Sequence, residues 1–355
     1  MAMRHGANFN PANRFGTQHA ETDREHFELA DDAADVFDRH PIEYLPDDSQ
    51  SIVTDNSSPD IPFRYSVNPY RGCVHGCAYC YARPYHEYLG LSAGLDFETK
   101  IFVKHRAPEL LRRFLSRDAW VPEEIVFSGI TDCYQPAERE FRLTRGCLEV
   151  ARDARQSVGI VTKNALVARD LDILGEMAAA QIVHVAVSVT TLDAELARFM
   201  EPRTSTPAAR LRTISELSAA GVPVRAMVAP VIPGLNDAEI PAILKEAKAA
   251  GALSAAYILL RLPLNVEPIF LEWLERTQPL KKERVLSRIR STRGGDLSDS
   301  KFGSRMRGEG EIAKQIQQTF KVFAAKHGLD RKLPPLDASK FLRPLPRSGQ
   351  MRLFD

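Results

Sequence analysis

The stretch "RGCVHGCAYCYARPY", residues 71–85, crowds three of the chain's five cysteines into eight positions. Cys73, Cys77 and Cys80 follow the spacing C-x3-C-x2-C. Thiolates this close together repel one another unless a metal absorbs their charge. In a chain with an odd number of cysteines, such a cluster indicates a metal centre or catalysis rather than a disulfide framework.

The spacing leaves two kinds of metal centre open. A structural zinc site has four ligands, usually in separated pairs, and its fourth ligand would be His75, His86 or Cys133. An iron–sulfur cluster normally has four cysteines. A set of three leaves one iron without a protein ligand, so that iron is open to a substrate or cofactor. Gly72 and Gly76 allow the backbone to turn tightly around a bulky group of this kind.

Composition places few limits on the protein beyond its class. The chain has 355 residues and is 44% hydrophobic, which is enough to bury one large core or two ordinary ones. No apolar run approaches the roughly 18 residues of a membrane span. The first residues contain no apolar stretch like that of a secretory signal. We therefore expect a cytoplasmic protein without a membrane partner.

Charge divides the chain into three parts. Residues 1–60 are predicted to be an acidic, partly disordered extension, because 21–60 carry thirteen acidic side chains against two arginines. Residues 61–280 are predicted to form the core domain. Residues 281–355 are predicted to be a basic extension, because 281–307 carry nine Lys/Arg against three Asp/Glu. The acidic extension either stays solvated or folds back on a basic face.

From residue 61 onward, short apolar runs alternate with helix-like stretches. Strands are predicted at 65–69, 124–129, 158–163, 183–189, 222–229 and 255–260. Helices are predicted at 107–117, 141–154, 165–180, 207–221, 238–251 and 309–327. Strands that are apolar throughout and alternate with helices indicate parallel βα units. Six such units curl into a barrel or part of one, with the chemistry at the carboxyl ends of the strands.

The three cysteines, with Tyr79 before the last of them, resemble the radical S-adenosylmethionine (SAM) superfamily. In that superfamily three cysteines hold a [4Fe–4S] cluster, and the amino and carboxylate groups of SAM chelate the fourth iron. Reductive cleavage of SAM gives a 5′-deoxyadenosyl radical, which abstracts hydrogen from a substrate.

The resemblance implies an α/β fold with a partial (β/α)6 TIM-type barrel and N- and C-terminal extensions, in agreement with the alternation of strands and helices. It also implies a [4Fe–4S] cluster and SAM as cofactors, and a flavodoxin- or ferredoxin-like electron donor.

Further stretches resemble the spore photoproduct lyase-like branch, whose members are often labelled DNA repair photolyases. They are "NPYRGCVHGCAYCYARP" (68–84), "SGITDCYQPAE" (128–138), "VTK" (161–163), "SVTTLD" (188–193), "EPRTSTPAARL" (201–211) and "MVAP" (227–230). Each stretch falls at or just beyond the end of a predicted strand. The resemblance implies that Tyr79 faces the adenine. The residues that it implies around SAM are Thr131, Asp132, Lys163, Ser188 and the backbone of Ala229.

The side-chain chemistry suits these roles. The ammonium of Lys163 can pair with the SAM carboxylate, and Asp132 can accept hydrogen bonds from the ribose hydroxyls. Thr131 and Ser188 offer hydroxyls where space is short. The structural alternative is that Lys163 and Asp132 form an ion pair at the barrel mouth, while the two hydroxyls cap backbone groups.

The chain differs from the lyase pattern at the residue that would return hydrogen to the substrate radical. The cysteine that performs this step in the lyase would lie at the position of Gly129. Cys133 follows four residues later and is a candidate hydrogen donor, unless it is a bystander on the outer side of the loop. Tyr81 matches a tyrosine involved in hydrogen return, and its alternative role is that of a core aromatic residue.

Two classes of function remain open on the sequence. The first is a radical SAM enzyme acting on DNA or RNA, on a protein or peptide, or on a small molecule, and the basic segment 281–307 would suit phosphates. The second is a non-catalytic module that binds an iron–sulfur cluster or zinc. Lys163 and Asp132 favour the enzyme, because a purely structural cluster needs no SAM pocket.

Overall fold

The computed structural model describes residues 5–16 and 40–344 of the chain. Much of the predicted acidic extension and the end of the predicted basic extension lie outside the described residues. In chain order the strands are β1 (Glu43–Pro46), β2 (Val53–Asp55), β3 (Tyr65–Val67), β4 (Tyr70–Arg71), β5 (Lys100–Val103), β6 (Ile125–Phe127), β7 (Val158–Thr162), β8 (Val183–Ser188), β9 (Val224–Val231) and β10 (Ser254–Leu259).

The α-helices are distributed between and after these strands. In chain order they are α1 (Leu95–Thr99), α2 (Ala107–Leu115), α3 (Glu138–Phe141), α4 (Leu143–Asp153), α5 (Leu171–Ala179), α6 (Ala194–Met200), α7 (Pro207–Ala219), α8 (Ile240–Ala249), α9 (Val266–Thr277), α10 (Lys282–Ser291), α11 (Ser304–Arg307) and α12 (Gly310–Lys326). The 3₁₀ helices are Arg83–Leu89, Ala165–Asp170, Asp237–Glu239, Pro279–Lys281 and Ala338–Lys340.

Six parallel strands form the centre of the molecule. The strands β3, β6, β7, β8, β9 and β10 lie side by side in chain order. Strand β2 pairs antiparallel with the outer edge of β3. Neighbours that follow one another in the chain and run parallel require a crossover between each pair. The sheet ends at β2 and β10 among the described residues, so the predicted α/β fold with a partial (β/α)6 barrel is confirmed.

The strands are buried because helices cover the sheet. Ile160 and Val185, on neighbouring strands, are fully buried in one core with Leu148, Leu174 and Leu217 from the helices. Such burial requires side chains that are apolar along the whole strand, and this is the pattern that the sequence presents. The stretch 165–180, predicted to be helical, contains two consecutive helical segments, because residues 165–170 form a 3₁₀ helix before α5.

A second apolar cluster supports the cysteine-bearing loop. Cys77 and Tyr79 pack in one group with Met200, Phe270 and Trp273. The indole nitrogen of Trp273 donates to the Phe199 carbonyl at 2.8 Å, so this large side chain is buried without an unpaired donor. Helices α6, α9 and α10 therefore form a platform beneath the loop.

Parts of both predicted extensions pack on the barrel. Strand β1 pairs with β5 in a three-stranded sheet. Asp60 accepts a hydrogen bond from Nε of Arg305 at 2.6 Å, so an acidic residue of the first extension pairs with a basic residue of the last. Phe320 of α12 packs against Tyr257 of β10, with ring centroids 4.8 Å apart. The boundaries at residues 60 and 280 remain predictions.

No helix in residues 5–16 and 40–344 combines the length and the apolar character that crossing a membrane requires.

Candidate metal centre and active site

The three cysteines lie on one loop between β4 and the 3₁₀ helix Arg83–Leu89. The amide of Cys73 donates to the Phe97 carbonyl at 2.9 Å, which fixes the start of the loop. Two further backbone bonds close consecutive turns, from Gly76 to Cys73 and from Cys80 to Cys77, each at 3.2 Å. Gly76 adopts a φ of 62°, a left-handed conformation that glycine takes without strain.

The three thiols are buried near one another. Cys73 and Cys77 are buried and Cys80 is partly buried. Burial raises the pKa of all three thiols, and repulsion between Cys73 and Cys80 raises the pKa of Cys73 further. Three thiolates in this loop therefore need a cationic group to compensate their charge.

The arrangement suits a cluster with several metal ions. An iron–sulfur cluster distributes its cysteine ligands over different irons, so its ligands need not meet at one point.

A buried ion pair holds the loop in shape. Arg83 and Glu98 are both fully buried, with Nη2 of Arg83 2.5 Å from Oε1 of Glu98. Nε and Nη2 of Arg83 also donate to the Cys77 carbonyl at 3.0 and 2.8 Å, and Nη1 donates to the carbonyls of Ala93 and Gly94 at 3.0 Å. The guanidinium therefore uses its planar set of donors to fix the backbone between the second and third cysteines.

Residues 5–16, the N-terminal strap, cover the opposite side of the same ion pair. The carboxylate of Glu98 accepts hydrogen bonds from the amides of Gly6 and Ala7 at 3.2 and 2.8 Å. Nδ1 of His5 lies 3.1 Å from Glu98 Oε2. A Cβ atom added at Gly6 would lie 1.9 Å from the Gly76 carbonyl oxygen. The strap thus lies in direct backbone contact with the cysteine loop.

Asp132 connects the loop to the ends of two neighbouring strands. Its carboxylate accepts from the amide of Lys163 at 2.8 Å, from the hydroxyl of Thr162 at 2.9 Å and from the amide of Tyr134 at 2.9 Å. Nδ1 of His75, inside the cysteine loop, lies 3.5 Å away. Burial lowers the pKa of His75 to about 4, so this ring is neutral near pH 7. Asp132 meets Lys163 through the backbone amide rather than through the ammonium.

Tyr79 and Lys163 face each other across the loop. The Lys163 ammonium lies 6.0 Å from the centroid of the Tyr79 ring. The Tyr79 hydroxyl donates to the buried carboxylate of Glu201, which also pairs with Arg210. Burial alone would raise the pKa of Glu201, but Arg210 and Lys163 hold it below its ordinary value. The Tyr79 ring is therefore fixed by an ionised carboxylate.

The remaining predicted SAM contacts lie at the same ends of the strands. Thr131 donates its hydroxyl to the Tyr70 carbonyl at 2.8 Å, which is the backbone-capping arrangement. Ser188 ends β8, and its carbonyl accepts from Nη1 of Arg210 at 3.1 Å. Ala229 lies in β9, before a cis peptide bond to Pro230.

The two predicted hydrogen-return residues lie in different surroundings. Cys133 is fully buried in the main core, and its carbonyl accepts from the hydroxyl of Thr144 at 2.6 Å. Burial raises the pKa of its thiol well above the ordinary value. Tyr81 is 43% exposed, and its hydroxyl donates to the Gly129 carbonyl at 2.9 Å. A Cβ atom at Gly129 would lie 2.6 Å from Cβ of Ser66, so this position has no room for a side chain.

Sequence reasoning assigned no role to Arg83, Glu98, Glu201 or Arg210, although all four are buried in this site. Glu201 and Arg210 lie within "EPRTSTPAARL", one of the stretches that carried the resemblance. The sequence alone does not show that these four charged side chains are buried. Each one is buried because it pairs with a residue from another part of the chain, and those pairings are visible only in the structure.

A family model described as the radical SAM superfamily matches residues 67–247, which is about half of the chain. The chain belongs to the radical SAM superfamily. Members of this superfamily use a [4Fe–4S] cluster and SAM, which are accordingly the cofactors of this chain.

Two relatives define the extent of the similarity. An uncharacterized protein of Mycobacterium tuberculosis is 41% identical over 221 residues, which are 62% of this chain and 65% of the relative. An uncharacterized protein of Methanocaldococcus jannaschii is 28% identical over 222 residues, 62% of this chain and 79% of the relative. The chain thus spans less than two thirds of the length of the mycobacterial protein.

Solved structures of spore photoproduct lyase share the fold. A complex of that lyase with a dinucleoside spore photoproduct has a TM-score of 0.59 at 16% identity, covering 80% of this chain and 79% of the lyase. A variant structure of the lyase has a TM-score of 0.61 at 16% identity, with 89% and 85% coverage. At this identity the likeness concerns the fold alone.

The close contact between the strap and the cysteine loop predicts that adding a methyl group at Gly6 destabilises the protein. Gly6→Ala should force the strap away from the loop, because the new Cβ would overlap the Gly76 carbonyl. We expect a loss of stability of about 1–3 kcal/mol and lower iron retention after desalting, measured by thermal unfolding and metal analysis.

Gly175→Ala is the matched control. A Cβ atom at Gly175, within α5, would meet only the Ala220 carbonyl at 3.7 Å, and alanine favours a helix over glycine by about 0.5–1 kcal/mol. This variant should keep its iron and be at least as stable as the natural protein. If Gly6→Ala behaved like Gly175→Ala in both measurements, the contact between strap and loop would have no energetic consequence.

Proposed function

We propose that Cys73, Cys77 and Cys80 hold the [4Fe–4S] cluster and leave one iron open to SAM. The observation that carries this proposal is the separation of the five cysteines. The three loop cysteines pack in the apolar groups around the loop, whereas Cys133 and Cys147 are buried in the main core. A cluster bound in the loop therefore has three cysteine ligands and not four.

Held by Cys73, Cys77 and Cys80, a reduced cluster would supply the electron for reductive cleavage of SAM, the chemistry by which members of this superfamily remove a hydrogen atom from a substrate. A flavodoxin- or ferredoxin-like protein is the proposed electron donor, which agrees with the predicted cytoplasmic location.

The chain's own residues would orient SAM against the open iron. Lys163 would pair with the SAM carboxylate. Two observations support this role: its ammonium lies 6.0 Å from the centroid of the Tyr79 ring, and its charge acts to lower the pKa of Cys77 and Cys80, against the larger effect of burial. Tyr79, fixed through Glu201, offers its ring to the adenine.

Asp132 is the proposed acceptor for the ribose hydroxyls. Three strong protein donors already reach its carboxylate, and the fourth, His75, is the most distant at 3.5 Å. A ribose hydroxyl would therefore replace or supplement the His75 contact. Thr131, Ser188 and the backbone of Ala229 complete the proposed pocket at the strand ends.

The substrate is proposed only by chemical class. DNA or RNA is the first candidate, because a structural neighbour is a lyase solved with a dinucleoside photoproduct. The basic segment 281–307 gives this idea little additional support, since Arg305 pairs with Asp60 and Arg288 with Asp237. A protein, a peptide or a small molecule is the alternative class. Tyr81 and Cys133 remain the proposed hydrogen donors to the substrate radical.

Product analysis tests the proposed activity. Protein reconstituted with iron and sulfide without oxygen should convert SAM to 5′-deoxyadenosine and methionine when dithionite is added. Formation of neither product by protein with a full complement of iron would overturn the proposal and favour a non-catalytic iron–sulfur module.

The ligand set predicts a selective effect of cysteine replacement. Cys73→Ala, Cys77→Ala or Cys80→Ala should each remove nearly all iron and the visible charge-transfer absorbance, because no protein ligand replaces the lost one. Cys133→Ala and Cys147→Ala are the matched controls and should retain both. Full iron content in Cys77→Ala, or loss of iron in Cys133→Ala, would contradict the three-cysteine set.

The proposed role of Lys163 predicts a binding defect without loss of the cluster. Lys163→Met should keep its iron and bind SAM about one to two orders of magnitude more weakly, since a charge-assisted hydrogen bond contributes roughly 1.5–3 kcal/mol. Calorimetry on the oxidised protein measures this affinity. Lys321→Met, on the exposed face of α12, is the control. An unchanged SAM affinity in Lys163→Met would assign Lys163 a structural role.

A further inference from the structure

Arg261 lies at the carboxyl end of a barrel strand, outside the segment that the family model matches. It follows β10, the sixth parallel strand, by two residues. The carboxyl ends of parallel barrel strands are where substrates bind. The matched segment ends at residue 247, so a function of Arg261 would belong to this chain's own substrate rather than to a shared SAM pocket.

The Arg261 guanidinium makes few hydrogen bonds to the described residues. Among residues 5–16 and 40–344, the buried Nε atom of Arg261 has no hydrogen-bond partner, and Nη1 donates to a weak acceptor, the sulfur of Met306, at 3.6 Å. Two deeply buried arginines near the cysteine loop, Arg83 and Arg210, each pair with a glutamate. A partly buried cation without such a partner is unfavourable unless something else supplies the compensating charge.

The neighbours of Arg261 add positive charge. Burial and the nearby Arg305 lower the pKa of Arg261, and Arg261 in turn lowers the pKa of Arg293. The carboxylate of Asp60 acts on the pKa of Arg261 in the opposite direction, but it already accepts from Nε of Arg305 and from the amide of Gly303. Within the described residues the local charge balance therefore favours binding of an anion.

An aromatic ring beside Arg261 connects this cation to the cysteine loop. The Arg261 guanidinium carbon lies 5.9 Å from the centroid of Tyr81, the residue that follows Cys80. The ring is 43% exposed, and the neighbouring Tyr85 is 52% exposed. An anion on Arg261 would therefore be held next to the proposed cluster with an accessible aromatic face at its side.

We propose that Arg261 and Tyr81 form a subsite that binds a phosphate group of the substrate, with a planar ring of the substrate against Tyr81. This inference rests on the proposed function, because it assigns a substrate group to the same active site. A guanidinium suits phosphate through paired hydrogen bonds, and an exposed aromatic face suits a nucleobase. The phosphate belongs either to a free nucleotide or to a nucleic-acid strand.

Binding to SAM-saturated, oxidised holoenzyme tests the subsite, because saturation keeps the probes out of the SAM pocket. The probes are uridine 5′-monophosphate, uridine and a single-stranded oligouridylate. We expect the monophosphate or the oligouridylate to bind at least tenfold more tightly than uridine. Arg261→Met should remove roughly ten- to hundredfold of that affinity. A strand substrate is distinguished by preference for the oligouridylate and a steep salt dependence, and a free nucleotide by preference for the monophosphate.

Arg64→Met is the matched control for charge and stacking. Arg64 also lies over a tyrosine, 5.0 Å from the centroid of Tyr65, but it is exposed and pairs with Asp55. This variant should bind all three probes as the natural protein does. Equal binding of uridine and both phosphate-bearing probes, or unchanged phosphate binding in Arg261→Met, would overturn the subsite.

Thermal stability separates a binding role from a structural one. Because Arg261 lacks a carboxylate partner, Arg261→Met should unfold at the same or a higher temperature than the natural protein without ligand. A large decrease would instead mean that Arg261 supports the fold. Protein that cleaves SAM but shows no phosphate preference would retain the proposed reaction and lose the subsite, whereas the reverse result would retain the subsite and lose the reaction.

Discussion

The buried ion pair between Arg83 and Glu98 is the interaction on which the rest of the site depends. Both side chains are fully buried, and removing one would leave the other as an uncompensated charge, at a cost of about 3–5 kcal/mol. Arg83 fixes the Cys77 carbonyl, and Glu98 fixes the amides of Gly6 and Ala7. One pair therefore shapes the cysteine loop from inside and attaches the N-terminal strap to it from outside. The loop is held in shape by protein contacts, so the proposed ligands are preorganised for a cluster.

Two further carboxylates connect the cysteine loop to other parts of the barrel. Asp132 joins the loop to the end of β7 through His75 and the Lys163 amide. Glu201 joins the loop to helix α7 through Tyr79 and Arg210. Each carboxylate accepts hydrogen bonds from more than one part of the chain. Arg210 and Lys163 hold the pKa of the buried Glu201 below its ordinary value. The outcome is a pocket whose walls come from distant parts of the chain but are connected by short polar contacts. Such contacts would hold the substrate in position for the proposed radical reaction, in which the reacting atoms must be correctly oriented.

The fold was predictable because its signal is local and repeated. A strand predicted at 158–163 is found at Val158–Thr162, and a helix predicted at 207–221 is found at Pro207–Ala219. The short strands β4 and β5 escaped prediction, since two to four residues carry no clear periodicity. The contact between His5 and Glu98 joins residues 93 positions apart, and no sequence spacing encodes it. In the same way, the resemblance pointed to strand ends, but only the structure shows that Nε of Arg261 has no hydrogen-bond partner within the described residues.

The central claim is that three cysteines hold a cluster whose remaining iron binds SAM. Electron paramagnetic resonance of the dithionite-reduced protein, recorded before and after SAM is added, tests it most directly. The g values of the reduced-cluster signal should shift when SAM is added, because a new ligand reaches one iron. The same shift should be absent or require much more SAM in Lys163→Met. A reduced-cluster spectrum that SAM leaves unchanged in the natural protein, at concentrations that saturate binding, would contradict the account.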